Sequence, residues 1–154
     1  TGSGGLVVAA LVVVNAVGDV VAPATGQVVA GVRTADGRGL ADARRLLRAG
    51  SSARGRPGEN TTIGVVATNA TLTKAQATKI AQMAQDGLAR TIYPAHTMGD
   101  GDTVFSLATG ELEGTANVTL IGALAADVMA EAILRAVRMA EGLPGIPSVS
   151  DLGN

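Results

Sequence analysis

The sequence predicts an α+β fold in which helices pack on a mainly antiparallel or mixed sheet. Three observations carry this. The run Leu6–Val14 is apolar and rich in β-branched residues, which suits a buried strand. Two long stretches near 74–91 and 116–141 repeat apolar residues at helical spacing. Strands and helices alternate, yet without the strict βαβ rhythm of a parallel sheet. The chain of 154 residues allows one domain with a real core, and no internal repeat is visible.

Taken in order, Leu6–Asn15 reads as a strand ending in a polar residue. Its apolar part is far shorter than the roughly 20 residues of a membrane helix. Ala16–Asp19 is a turn, Val20-Val21 is extended, and Ala22–Gly26 is a second turn. Gln27–Arg33 alternates as a strand, so a hairpin region is expected. Asp36–Gly39 is a turn and Ala41–Ala49 a short helix. Gly50–Asn60 is built from Gly, Ser, Arg, Pro and Glu, the composition of a flexible segment. Thr61–Asn69 is strand-like, and Thr73 is a good N-cap for a helix over 74–91 that Pro94 closes off. Met98–Asp102 forms a tight acidic turn, Thr103–Thr109 a strand and Gly110–Thr115 a loop. A long helix over 116–141 carries Val118, Ile121, Ala125, Val128, Met129, Ala132, Ile133, Ala136 and Val137 on one stripe. Gly142 and Pro144 stop it.

Composition narrows the chemistry. Twelve basic and thirteen acidic residues leave a formal charge of −1, so neither nucleic acid nor an anionic membrane is an expected partner. Arg44, Arg45, Arg48, Arg54 and Arg56 read as a solvated helix end and loop. Cysteine is absent, which excludes disulfides, zinc-thiolate sites and thiol nucleophiles. That absence, with no positively charged leader ahead of the first apolar run, points to a cytoplasmic location. The chain opens on Thr1 rather than Met, so a processed product or fragment is expected. With a single His, His96, any hydrolytic reaction needs an unusual base. Only Tyr93 and Phe105 are aromatic, so the core must be built from Val, Ala, Leu and Ile.

Several motifs have plain readings. Gly2–Gly5 precedes a strand and lacks the Gly-Lys-Ser/Thr of a phosphate loop. Asp100 to Glu111 mimics a calcium loop, but Val104 and Phe105 stand at its fifth and sixth positions, where a ligand and a glycine are needed. No metal or cofactor is expected. Asp100-Gly101-Asp102 is either a plain turn or a pair of site carboxylates, and spacing alone favours the turn. His96 beside it reads as a hydrogen-bonded structural group. The glycosylation sequons at Asn60, Asn69 and Asn117 are accidents of a Thr-rich chain.

The junction Asn60-Thr61 joins the flexible segment to a strand. A loop-to-strand junction bearing Thr is common. It is also the arrangement needed for self-cleavage. A threonine hydroxyl is a weak nucleophile until a base takes its proton. An α-amino group, with a pKa of about 7.7–8.0, can be that base. Breaking Asn60-Thr61 would place nucleophile and base on one residue.

Three separated blocks resemble a known family. They are "VVVNAVGDVVAPATGQVVAG" from Val12, "NTTIGVVATNATLTKAQATKIAQMAQDGLARTIYPAHTMGDGDTVFSLATG" from Asn60, and "NVTLIGALAADVMAEAILRAV" from Asn117. Together they are similar to the self-processing N-terminal-nucleophile peptidases of the DmpA type. These include L-aminopeptidase/D-esterases, β-peptidyl aminopeptidases and nylon-oligomer hydrolases. The resemblance implies a four-layer αββα sandwich, present here as its C-terminal portion. It implies one partial domain over 1–154, with 1–60 ending the α subunit and 61–154 forming the β subunit. Thr61 would be the nucleophile, Asn15 the oxyanion donor, and Asp100 and Asp102 the carboxylates that orient the hydroxyl and hold the ammonium. A side-chain amide aimed at developing charge is worth roughly 3 kcal/mol. Implied partners are a small amide or peptide substrate, the missing N-terminal part of the precursor, and further αβ units in a homo-oligomer. That missing part would supply sheet strands and pocket walls, so exposed strand edges are expected. The implied activity is an aminopeptidase- or amidase-type hydrolase. The alternatives are an acyltransferase of the ornithine-acetyltransferase type and a non-catalytic oligomerising α+β module.

Overall fold

The first apolar run becomes β1 (Val8–Val13), antiparallel to β4 (Ile63–Ala70). β4 also runs parallel to β6 (Thr103–Leu112), giving the sheet order β1-β4-β6. The computed structural model describes residues 3–51 and 60–152. The sheet is mixed, as the α+β reading expects. Its parallel pair is joined through α2 (Lys74–Thr91), a crossover that the sequence did not reveal. The crossover is masked because β5 (Ile92–Tyr93) follows α2 directly and pairs elsewhere.

The expected hairpin region divides between two sheets. β2 (Asp19–Val21) and β3 (Val28–Ala30) pair antiparallel across the Ala22–Gly26 turn. With β5 they form the order β3-β2-β5, whereas β1 stays in the first sheet. Gly18 permits the change of direction. A Cβ there would lie 2.4 Å from the Tyr93 carbonyl, so only glycine lets the two chains approach. α1 (Ala43–Arg48) follows, its first turn closed by the Asp42 side chain accepting from the Arg44 N–H. The Gly50–Asn60 segment lies almost wholly outside the described residues, as do Arg54 and Arg56.

α2 begins in a capping box. Thr73 Oγ1 accepts from the Gln76 N–H, and Gln76 Oε1 accepts from the Thr73 N–H. α3 (Val118–Met139) is capped by Asn117, whose side chain accepts from the Leu120 N–H. It is thus two residues shorter at each end than the pattern suggested. β6 instead runs longer, through Gly110 to Leu112, where a loop was expected. Gly110 takes a left-handed φ of 74°, and the register shift beyond Thr68 lets Leu112 pair with Ala70.

Both long helices cover one face of the first sheet. Val66, Ile80, Ala84, Leu88, Ile121, Ala125, Met129 and Ile133 are fully buried between them. The small residues bring the helices close. A Cβ on Gly87 would sit 2.6 Å from the Ala126 carbonyl oxygen and 2.7 Å from Met129 Cβ. The opposite face of the same strands carries apolar side chains that remain exposed. Leu11 is 74% and Phe105 57% accessible, with Val13, Ile63 and Leu107 beside them. β1 and β6 form the two edges of this sheet among the described residues, in keeping with the expected open edges.

Candidate active site at the Asn60–Thr61 junction

The strand registers converge on the junction. β1 and β4 pair Val13 with Ile63, and continuing that register sets Asn15 opposite Thr61. β4 and β6 pair Ile63 with Thr103, and an isolated parallel bridge joins Asn60 to Asp100. Asn15, Thr61 and Gly101 therefore form one row across the end of the sheet. Thr62 and Asp102 share the next.

Side-chain alternation separates the two threonines. Thr62 is fully buried toward the helices, as is Gly64. Thr61 is half-buried and falls on the face of Ile63. Thr62 is also tied down on both sides. Its Oγ1 accepts from the Asn15 backbone N–H at 3.4 Å, and its own N–H donates to Asp102 Oδ1 at 2.9 Å. The Thr62 carbonyl accepts from the Thr103 N–H at 3.0 Å. A chain from Asn15 through Thr62 to Asp102 thus anchors the residue next to Thr61.

The acidic turn divides its two carboxylates between different tasks. Asp100 Oδ2 accepts from both the N–H and the hydroxyl of Thr97, at 2.9 Å each, and so closes its own loop. Asp102 is the more enclosed, with its side chain 4% exposed, and its Oδ2 lies 3.6 Å from His96 Nδ1. Among the described residues no hydrogen bond joins either carboxylate to the Thr61 hydroxyl. Asp100 thus acts as a turn residue, and Asp102 reaches the backbone of Thr62, the neighbour of Thr61. His96, read from sequence as structural, is half-exposed and holds a left-handed φ of 55°.

Gly101 and Thr62 were not singled out by the sequence. A Cβ on Gly101 would lie 2.6 Å from Thr61 Oγ1, so glycine leaves the slot that the hydroxyl fills. The Gly101 N–H donates to the Asn60 carbonyl at 3.1 Å. The signal for Thr62 was available, since period-two alternation puts one of two adjacent threonines inside.

Hydrogen bonds from Arg44 hold the Asp42 carboxyl below its ordinary value, the Thr34 hydroxyl does so for Asp36, and Ser148 for Asp151. Among the described residues no cluster of three or more His, Asp or Glu could hold a metal ion. No helix among them is long and apolar enough to cross a membrane. A cavity of about 580 Å³ between the β2–β3 turn and the end of α3 is lined by Pro23, Gln27, Leu134, Arg138 and Ser150. It contains none of the site residues. Asn69 and Asn117, the other sequon asparagines, are used structurally, Asn69 bonding Val7 N–H and the Gly5 carbonyl.

A threonine at the end of a mixed sheet, beside an enclosed carboxylate and following a charged segment, fits the peptidases that the sequence resembles. The family model of peptidase family S58 matches residues 1–149, and the chain belongs to that family, the one containing the DmpA-type enzymes. An uncharacterised aminopeptidase of Mycobacterium leprae is 47% identical over 164 aligned residues, covering 94% of this chain. A similarly described aminopeptidase of Mycobacterium bovis is 43% identical and covers 96%. The chain spans 44% and 48% of the lengths of these two relatives. A 6-aminohexanoate-oligomer endohydrolase of a Kocuria species is 33% identical over 90 residues, half of this chain and a quarter of that protein. Among solved structures, a Burkholderia β-aminopeptidase aligns with a TM-score of 0.45 and 27% identity, over 55% of this chain and 29% of its own.

Proposed function

We propose that this chain is the C-terminal part of an amide hydrolase of the aminopeptidase or amidase type. Its nucleophile is Thr61, freed by cleavage of Asn60–Thr61. The observation that carries the reading is the division between the adjacent threonines. Thr62 is buried and bonded on both sides, while Thr61 lies on the open face with its hydroxyl in the slot above Gly101. A rigid strand behind a nucleophile and a composition-biased segment before it suit an intramolecular attack.

In this reading the Thr61 hydroxyl attacks the acyl carbon of a small amide or peptide substrate. The free α-amine takes the hydroxyl proton and then delivers it to the departing amine. Water hydrolyses the resulting ester. Asn15, opposite Thr61, supports the oxyanion. Asp102 fixes the Thr62 N–H and thereby the direction of the strand that bears the nucleophile. Asp100 shapes the turn that delivers Asp102.

The names of the relatives, aminopeptidase and oligomer endohydrolase, support an amide substrate. The remaining part of the precursor covers the exposed face of Leu11, Ile63 and Phe105. Because Thr61 shares that face, the same layer walls in the nucleophile. The αβ units then associate with one another.

The test uses the full-length precursor and an aminoacyl anilide. Thr61→Ala is expected to stay uncut and to lose hydrolysis, and Thr61→Ser to keep both in part. An active Thr61→Ala protein would refute the assignment.

A further inference from the structure

We propose that the backbone N–H of Gly101 is the oxyanion donor for the self-cleavage step, and that Gly101 must be glycine to admit the Thr61 hydroxyl. This rests on the Thr61 reading and deepens it. Two contacts converge on one residue. The Gly101 N–H donates at 3.1 Å to the Asn60 carbonyl oxygen, which belongs to the bond to be cut. A Cβ on the same residue would come within 2.6 Å of Thr61 Oγ1. The scissile carbonyl and the attacking oxygen are thus both located by Gly101.

Thr61 Oγ bonds to the Asn60 carbonyl carbon, and the carbonyl π electrons move onto its oxygen. The Gly101 N–H meets that developing charge. The C–N bond to Thr61 then breaks, and the hydroxyl proton passes, in net terms, to the nitrogen that becomes the α-amine. Water adds to the ester carbon, the Oγ–C bond breaks, and Thr61 recovers its hydroxyl while Asn60 leaves as a carboxylic acid. A preorganised backbone donor needs no rearrangement as charge appears. The donor is well fixed. Its bond belongs to the Asn60↔Asp100 bridge, and the Thr103 N–H to Thr62 carbonyl bond secures the next step of the ladder.

The same bond also continues the β4–β6 ladder, and a purely structural role would affect folding instead of rate. Two variants of the full-length precursor separate the roles. Gly101→Ala keeps the N–H and fills the slot. Glycolate at position 101, an amide-to-ester exchange introduced by nonsense suppression, keeps the slot and removes the N–H. Cleavage is followed on denaturing gels and folding by thermal melting, with Thr61→Ala as the uncut reference. Each variant is expected to cleave at least about 100-fold more slowly than wild type. Each should melt within about 2 °C of Thr61→Ala, since a single exposed ladder bond is a small part of the stability. Either variant cleaving within about threefold of wild type overturns the proposal. So does a rate loss that comes only with a matching fall in melting temperature. A wild-type precursor that itself never cleaves sinks the Thr61 reading, an outcome distinct from failure at Gly101.

Discussion

The two faces of the β1-β4-β6 sheet use the same strands and nearly the same residue types, yet they end in opposite environments. Toward the helices, Val66 packs with Ile80, Met129 and Ile133 in the core, and Thr62 and Gly64 are buried on the same side. On the other side Leu11, Val13, Ile63, Phe105 and Leu107 are equally apolar and exposed. A large exposed apolar face marks a surface made to be covered. The difference teaches where stability and chemistry reside. The helix side is finished and supplies stability. The open side bears Thr61 at its end, and in the proposed reading covering that side also completes the site.

The comparison breaks first at Thr61. Thr61→Ala in the full precursor is expected to lower amide hydrolysis by more than about 1,000-fold without lowering the melting temperature. A matching loss of stability would mean that the open side also holds the fold together. On the finished side the expectation reverses. Met129→Ala removes a fully buried side chain and should cost about 2–5 kcal/mol in denaturant unfolding. Cleavage, measured below the melting range, should continue.

Smaller effects sharpen the contrast. Thr73→Ala deletes the cap of α2 and should cost about 1 kcal/mol, read by the same unfolding curves. Phe105→Ser on the open face should change the stability of the present chain by no more than about 0.5 kcal/mol. It should nevertheless weaken capture of the separately expressed remainder of the precursor. The smallest effect is a titration. Because Arg44 lowers the folded pKa of Asp42, their link contributes above the unfolded value near 3.8 and is lost as pH falls through the lower folded value. The Arg44 amide resonance should report that transition in acid, and Asp42→Ala should abolish it.

How much of this was legible beforehand depends on the range of the interaction. α2 is legible with its observed limits because Thr73 declares the start and Pro94 the stop locally. β1 was legible from β-branching, but its partner was not. Pairing Val13 with Ile63 joins residues that have a hairpin and a helix between them. The same limit hid the role of Asp102. Its bond to the Thr62 N–H depends on a parallel register across forty positions. Family likeness singled out Asn15, Thr61, Asp100 and Asp102, and the fold brings these into three successive rows. The unequal duties of the aspartates, and the slot at Gly101, are visible only in three dimensions.

The most direct measurement is N-terminal sequencing of the purified full-length precursor, before and after incubation. The account predicts a second terminus reading Thr-Thr-Ile-Gly, absent from Thr61→Ala. A precursor that hydrolyses amides while Asn60–Thr61 remains joined would contradict it.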